Sequence, residues 1–291
     1  MIEHTVHPTF GGRLQVREEG DPEGKPVFVL HGTPGSRLMY GPHVADAAKK
    51  GLRLICYDRP GYGGSTARPG RRIVDTAAEV VAIADALRLD RFGVWGHSGG
   101  GAPALACAAV IGDRVVGSVC LSGVAPYPAE GLDWLAGTGE LNEDDFRLML
   151  RDRVAWERKS REDREVMLSW NVEQLREGFG SLLSDIDRQL LTDEVAAFLL
   201  AGSREGLRPG DEGMRDDNLS TIKPWGFDLA KIRIPVQLWH GGQDRFVPVT
   251  HGQWVAARIP NADVHLEWDQ GHLSVFLRRV PLAQSWLAAK F

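Results

Sequence analysis

The 291-residue sequence contains little cysteine, no excess of positive charge and no long hydrophobic run. Its three cysteines are an odd number and lie in apolar stretches, which is typical of buried thiols in a reducing compartment rather than of a disulfide framework. Lys and Arg number 34 against 39 Asp and Glu, a formal charge of −5, without the basic cluster expected of a nucleic-acid-binding protein. No run of about 18 apolar residues occurs, so we expect no membrane-spanning helix.

The first twelve residues, MIEHTVHPTFGG, lack the basic and apolar regions of a secretory signal. We therefore expect a cytoplasmic protein that acts on a small molecule, without a nucleic-acid or membrane partner. Hydrophobic residues make up 43% of the chain and charged residues 25%, an ordinary globular balance with enough apolar material for a large core. The spacing of His and Cys matches no metal site, and we expect neither a metal nor a cofactor.

Short apolar runs alternate with segments of helical periodicity along most of the chain. Runs this short and this apolar are typical of parallel strands covered on both faces, so the pattern predicts an α/β fold with a mostly parallel central sheet flanked by helices. Residues near 14–16 are expected to form an antiparallel hairpin at the edge of the sheet. The predicted strands are Val27–Leu30, Leu52–Tyr57, Phe92–Trp95, Val115–Leu121, Val236–Trp239 and Val264–Trp268.

One segment, residues 125–223, has no strong strand pattern and contains helical spacing. We interpret it as a helical cap inserted into an α/β core formed by residues 1–124 and 224–291. Within it, Asn142 is expected to cap a helix whose buried face carries Phe146, Met149, Leu150 and Val154.

Two further features of this segment are predicted from local composition. Thr192 is expected to cap a helix that carries Val195, Phe198 and Leu199. Residues 204–217 are polar and glycine-rich, and are expected to form a loop.

The candidate nucleophile lies in Gly96–Gly100, which reads Gly-His-Ser-Gly-Gly and joins a predicted strand to an alanine-rich helix. This G-x-S-x-G pattern between a strand and a helix predicts a tight turn that projects Ser98 from the carboxyl edge of the sheet. The amide of Gly99 then lies at a helix N-terminus, where unpaired N–H groups favour negative charge. No lysine follows the glycines, which disfavours a phosphate-binding loop.

The candidate base and acid also follow predicted strands. His272 comes after the last strand and just before the last helix, and Asp244 follows the strand Val236–Trp239. Because parallel strands present their carboxyl ends at one edge, we expect Ser98, Asp244 and His272 to meet there. Asp269 is the alternative acid. His31 and His240 are interpreted as turn or supporting residues, and the remaining histidines, His43 among them, are not placed at the site.

Taken together, these motifs resemble those of the α/β-hydrolase superfamily over nearly the whole chain. The resemblance rests on His31–Ser36, Asp58–Ser65, Gly96–Gly100, Trp239–Asp244 and Gly271-His272, and on the order Ser, Asp, His.

The resemblance implies a serine hydrolase that uses no cofactor or metal. Its catalytic residues are Ser98, Asp244 and His272, and its oxyanion hole is formed by the backbone N–H groups of Thr33 and Gly99. It also implies that residues 125–223 are the cap. Dehalogenases and epoxide hydrolases of the superfamily carry Asp at the nucleophile position, and Ser98 therefore argues against both activities.

The expected reaction is hydrolysis of an ester-like bond of a small molecule through an acyl-enzyme. Amide, lactone and carbon–carbon bonds stay open as alternatives because the same triad cleaves them. A non-catalytic ligand-binding receptor on the same fold is a further alternative. Large aromatic residues of the insertion either line the substrate pocket or form the core of the insertion itself: Trp134, Trp156, Trp170 and Phe179, with Trp225 where the chain returns to the sheet.

Overall fold

The computed structural model describes residues 1–291 and contains one eight-stranded sheet, as expected for an α/β fold. The order of the strands in space is β1-β2-β4-β3-β5-β6-β7-β8. The first two strands form the predicted antiparallel edge hairpin, and β2 also pairs antiparallel with β4. All the other pairs are parallel. The strands are β1 Ile2–Val6, β2 Leu14–Gly20, β3 Lys25–Leu30, β4 Leu52–Tyr57, β5 Phe92–His97, β6 Val115–Leu121, β7 Val236–Gly241 and β8 Asp263–Glu267.

Five helices cover the two faces of the sheet. Because side chains alternate across a strand, Phe28 and Leu30 of β3 pack with α2 and α3, whereas Val27 and Val29 pack on the other face with α1 and α11. Both faces are therefore buried, which explains why the central strands are continuous apolar runs. No helix of the structure is long and apolar enough to cross a membrane. The five helices are α1 Gly41–Lys49, α2 Thr76–Ala86, α3 Gly101–Val110, α10 Val249–Ala256 and α11 His272–Ala288.

The chain between β6 and β7 contains six α-helices, two short 3-10 turns and no strand. We call residues 125–223 the helical insertion. Their apolar side chains form clusters of their own, one of which includes Leu273 of α11. The helices are α4 Glu140–Arg151, α5 Arg153–Ser169, α6 Val172–Phe179, α7 Asp185–Leu190, α8 Asp193–Leu207 and α9 Glu212–Thr221.

The predicted start and face of the first inserted helix are wrong. Helix α4 begins at Glu140 with Gly139 as its N-cap, and the Asn142 side chain donates to the carbonyl of Phe246 instead. Asp152 ends α4 and caps α5 by accepting a hydrogen bond from the amide of Ala155. The break rotates the following residues, so Val154 is 80% exposed. Leu150 is also exposed, while Phe146 and Met149 are buried as expected.

Two predictions for the second half of the insertion have opposite outcomes. Thr192 caps α8 by accepting from the amide of Val195, as predicted. Residues 204–217, however, are not one loop, since α8 continues to Leu207 and α9 begins at Glu212. One of their acidic side chains, Asp217, is held by distant partners described below, which the local composition does not reveal.

Candidate active site

Ser98 lies in a tight turn between β5 and α3, in a backbone conformation that few non-glycine residues adopt. Its φ is +56°, in the left-handed region. The turn requires glycine on both sides of the serine. A Cβ on Gly96 would overlap the carbonyl oxygen of Gly100, and one on Gly100 would overlap the carbonyl oxygen of Leu30. The side chain of Ser98 is thereby held at the carboxyl edge of the sheet.

Asp244 and His272 form a direct hydrogen bond. Nδ1 of His272 lies 2.6 Å from Oδ2 of Asp244, and both side chains are buried. The other carboxylate oxygen accepts from the amides of Phe246 and Val247, at 2.9 and 2.8 Å. Burial alone would raise the pKa of Asp244, but the imidazole and these hydrogen bonds hold it below its usual value. The carboxylate is therefore ionised and fixes the imidazole with its proton on Nδ1.

The sequence predicts His272 in a loop before the last helix, whereas in the structure His272 is the first residue of that helix, α11. Its ring stacks on Phe246 with the centroids 4.7 Å apart, and the ring of His97 lies 4.5 Å away on another side. Burial, and then the neighbouring His272, lower the pKa of His97. The imidazole of His97 is therefore neutral and packs against His272 without adding charge. The alternative acid, Asp269, is exposed and has no hydrogen bond to His272.

Ser98, Gly99, Thr33 and His272 all line one cavity of about 480 Å³. A Cβ on Gly99 would lie 3.2 Å from the backbone nitrogen of Thr33, so the two predicted oxyanion-hole residues are neighbours across the cavity floor. No hydrogen bond joins Ser98 Oγ to His272 in this structure. Such contacts are often long in a free enzyme and shorten when substrate binds. The structure therefore brings the predicted residues to one cavity with the serine hydroxyl unpaired.

Asp217, which belongs to the predicted polar loop 204–217, is buried beside the predicted oxyanion hole. It belongs to α9 of the helical insertion and forms ion pairs with Arg59 and Arg71 of the core. Its Oδ2 also accepts hydrogen bonds from Thr33 Oγ1 at 2.6 Å and from the Tyr62 hydroxyl at 2.7 Å. The insertion is therefore tied to the residue whose amide is the second predicted oxyanion donor.

The charge of this cluster follows from its partners. Burial would raise the pKa of Asp217, but the guanidinium groups of Arg59 and Arg71 outweigh that effect and hold the pKa far below its usual range. Arg59 is fully buried and also donates to the carbonyls of His31 and Gly32. The sequence contained the residues of the cluster but no local signal that paired them, since they are about 150 positions apart.

The walls of the cavity are largely aromatic and aliphatic, and about half of the lining residues come from the helical insertion. The aromatic residues of the insertion fulfil both interpretations, because their side chains line the cavity and also pack in the insertion's own hydrophobic clusters. His43 lines the cavity as well, although its position in the sequence did not predict a place at the site. Trp225 does not, and lies in the core with α3 and α10. The predicted lining residues found in the cavity are Trp134, Trp156, Trp170 and Phe179.

The cavity has few charged groups, and each of them is paired. Its only lysine, Lys159, bonds to Asp145 at 3.1 Å and to Asp163, and no arginine or glutamate lines the cavity. Partial burial would lower the pKa of Lys159, but these two carboxylates outweigh it and raise the pKa. Asp145 also accepts a hydrogen bond from the indole of Trp156 at 3.0 Å. The cavity thus offers no free cation to a bound anion.

Comparison with known proteins identifies the family. The family described as "alpha/beta hydrolase fold" matches residues 25–278. The chain belongs to the α/β-hydrolase fold family. This α/β-hydrolase is 28% identical over 279 aligned residues to a 2-hydroxy-6-oxo-6-phenylhexa-2,4-dienoate hydrolase of Burkholderia cepacia, with 89% of this chain and 85% of that protein covered.

Solved structures agree on the fold of this α/β-hydrolase. An esterase from Rhodococcus sp. ECU1013 superposes with a TM-score of 0.72 at 21% identity, and all of both chains is covered. The enol-lactonase from Burkholderia xenovorans LB400 gives a TM-score of 0.69 at 17% identity, with 99% of each chain covered. At these identities the likeness establishes the fold alone. The names of the curated relatives support hydrolytic activity on small molecules.

Proposed function

We propose that this protein is a serine hydrolase that cleaves an ester-like bond of a small molecule through an acyl-enzyme. The observation that carries the proposal is the 2.6 Å bond between His272 and Asp244 at the cavity into which the Ser98 turn projects. A buried, ionised carboxylate on Nδ1 leaves Nε2 of the imidazole free to accept a proton. The left-handed Ser98 with helix α3 behind it matches what a serine nucleophile requires.

In the proposed reaction, Ser98 Oγ attacks the substrate carbonyl carbon while His272 accepts the hydroxyl proton. The carbonyl oxygen becomes an oxyanion, which the N–H groups of Thr33 and Gly99 stabilise. His272 then donates the proton to the leaving alcohol as the bond to the acyl carbon breaks. Water attacks the acyl-enzyme by the same route in reverse and releases the acid, and Asp244 stays ionised throughout.

The helical insertion acts, in this proposal, as a cap that determines which acyl groups fit. The lining side chains from α4, α5 and α6 are mainly apolar, and the only lysine among them is already neutralised by two carboxylates. An anionic substrate would therefore lose its hydration without gaining a cationic partner, and we expect an uncharged, apolar acyl group.

A carbon–carbon bond hydrolase is the second candidate, because the same triad cleaves such bonds. The Burkholderia cepacia relative is named as a hydrolase of a dienoate. A dienoate substrate contains a carboxylate, for which this cavity has no unpaired cation. The ester therefore fits the cavity better. A ligand-binding receptor is the third candidate, and it predicts tight retention of a ligand without turnover.

Two esters that differ by one charge test the proposal: 4-nitrophenyl hexanoate and the 4-nitrophenyl half-ester of hexanedioic acid. We expect the neutral ester to have a kcat/KM at least about 10-fold higher, because the carboxylate would be buried without a partner. Comparable values, or a preference for the half-ester, would contradict the uncharged acyl site.

Substitution of the serine tests the nucleophile. Ser98→Ala should lower kcat by at least about 10⁴-fold and abolish labelling by a fluorophosphonate. The matched control is Ser169→Ala, at an exposed serine near the end of α5, which should keep both. Retained turnover in Ser98→Ala would overturn the serine mechanism. If the native protein hydrolyses no ester but retains a bound ligand, the receptor is favoured instead.

A further inference from the structure

We propose that Asp187, in helix α7 of the insertion, is a positioning residue that holds His272 in place for the proposed reaction. The inference depends on the proposed function, since it assigns a role in serving the base. Asp187 is fully buried. Its Oδ2 accepts a hydrogen bond from the backbone N–H of His272, and its Oδ1 accepts one from the N–H of Ser274, both at 2.9 Å.

These two bonds cap the helix that carries His272. Helix α11 begins after Gly271, which has no side chain with which to accept from the unpaired N–H groups of the first turn. A carboxylate 85 residues away supplies that acceptor. The partial positive charge of a helix N-terminus stabilises an anion there, and bonds from N–H groups to a carboxylate are stronger than bonds between neutral groups.

No cationic side chain pairs with Asp187. A buried carboxylate without a counter-ion is costly unless its oxygens are satisfied, and here the two N–H groups of α11 satisfy them. A neutral amide of the same size has only one oxygen, so it can accept only one of the two bonds, and its own N–H₂ would face the other donor. The site therefore requires an acid.

The ends of α7 and α11 meet so closely that no side chain fits between them. A Cβ on Gly271 would overlap both the Asp187 carboxylate and the hydroxyl of Ser184. Ser184 is itself the N-cap of α7 and accepts from the Asp187 amide at 3.4 Å. The position of the carboxylate is thus determined by α7, and the position of the first residue of α11 is determined by the carboxylate.

The catalytic consequence follows from the place of His272 at the start of the helix. Its side chain must meet Asp244 on one side and the Ser98 hydroxyl on the other, and a shift of the first turn disturbs both. A displacement of about 1 Å at a reacting group can lower a rate by about 10²-fold. Asp187 itself does not line the cavity, so the effect should fall on kcat rather than on KM.

The test compares Asp187→Asn with Asp185→Asn, which makes the same chemical change at an exposed position two residues earlier in α7. We expect Asp187→Asn to lower kcat for 4-nitrophenyl hexanoate by about 10- to 100-fold with KM changed less than about 3-fold. Asp185→Asn should match the native protein. The folded fraction of each variant is measured by circular dichroism under the assay conditions, so that lost protein is not counted as lost turnover.

A proton NMR signal of the His272 Nδ1–H gives a readout besides activity. It should be present in the native protein and broadened or shifted in Asp187→Asn. If that variant does not fold, Ser184→Ala, which removes only the cap of α7, should lower kcat in the same direction by a smaller factor.

A kcat within 2-fold of native in folded Asp187→Asn, or a loss that merely follows the folded fraction, would overturn the positioning role. If Asp187→Asn does not fold, an unchanged kcat in Ser184→Ala would overturn it too. The proposed function fails separately, through native protein that hydrolyses no ester or Ser98→Ala that retains turnover.

Discussion

Replacement of Asp217 by asparagine is expected to be among the most destabilising single changes in this protein. The carboxylate forms ion pairs with two guanidinium groups, those of Arg59 and Arg71, both of which are buried. Asparagine keeps the volume but removes the charge, which leaves two buried cations with no ionic partner in α9. Removal of one member of a buried ion pair typically costs about 3–5 kcal/mol. That is a large part of the 5–15 kcal/mol by which a typical domain is stable.

The assay is urea unfolding at pH 7, followed by circular dichroism, with the free energy of unfolding extrapolated to water. The matched control is Asp193→Asn in the same insertion, at a side chain that is 87% exposed and pairs with Arg176. A surface pair of this kind contributes at most about 1 kcal/mol, so the control should stay close to the native protein. A loss below about 1 kcal/mol in Asp217→Asn would refute the reasoning.

The order of two substitutions sharpens the same prediction. Arg71→Gln removes one of the two cations but leaves Asp217 paired with Arg59 and hydrogen bonded to Thr33 and Tyr62. The remaining pair is neutral overall, so Arg71→Gln should cost less than Asp217→Asn. The reverse order would mean that the packing of the Arg71 side chain, rather than the charge on α9, stabilises this contact.

Two further predictions follow from buried titratable groups. Burial lowers the pKa of His43 and of His251 to about 4, so an unfolded chain binds more protons than the folded one between pH 6.5 and 4. The contribution of these histidines to the free energy of unfolding should therefore be fully present above pH 6.5. It should fall as the pH approaches 4, by up to about 3 kcal/mol per histidine. Equal free energies of unfolding at pH 7 and pH 4.5 in urea titrations would contradict this. Burial also raises the pKa of Cys120 to about 12 and raises those of Cys56 and Cys107, so a disulfide reagent at pH 8 should modify three thiols in denaturant and none in the native protein.

The sheet and the residues at its carboxyl edge could be predicted from the sequence because each sequence pattern involves residues that are close together along the chain. A strand, a glycine and a chemically distinctive residue are neighbours along the chain at Ser98, Asp244 and His272. Parallel topology then brings the strand ends to one edge without any further information. The roles assigned to these residues are proposals, but their placement at one edge of the sheet follows from topology alone.

The structure of the insertion was harder to predict because the role of its polar residues depends on partners that are distant in the sequence. Asp217 lies in a polar, glycine-containing stretch that local composition marks as loop, yet it is buried because Arg59 and Arg71 neutralise it. Asp187 gives no motif either, since its partners are backbone N–H groups of another helix. Asn142 has a side chain typical of a helix cap, but the N-cap is Gly139, whose extended backbone leaves no side-chain signal in the sequence.

The two buried carboxylates help to explain how the helical insertion keeps a defined position over the site. Apolar contacts between the insertion and α11, such as those around Leu273, favour burial but have no direction, so helices that make only such contacts can slide. Hydrogen bonds to a carboxylate are directional and lose most of their energy when displaced. Asp217 accepts a hydrogen bond from the Thr33 hydroxyl and Asp187 accepts one from the His272 amide, and both partners line the same cavity as Ser98. Hydrophobic packing therefore contributes to the attachment of the insertion. The two acids, with other polar contacts such as the Arg37–Glu205 ion pair, contribute to its register against the carboxyl edge of the sheet.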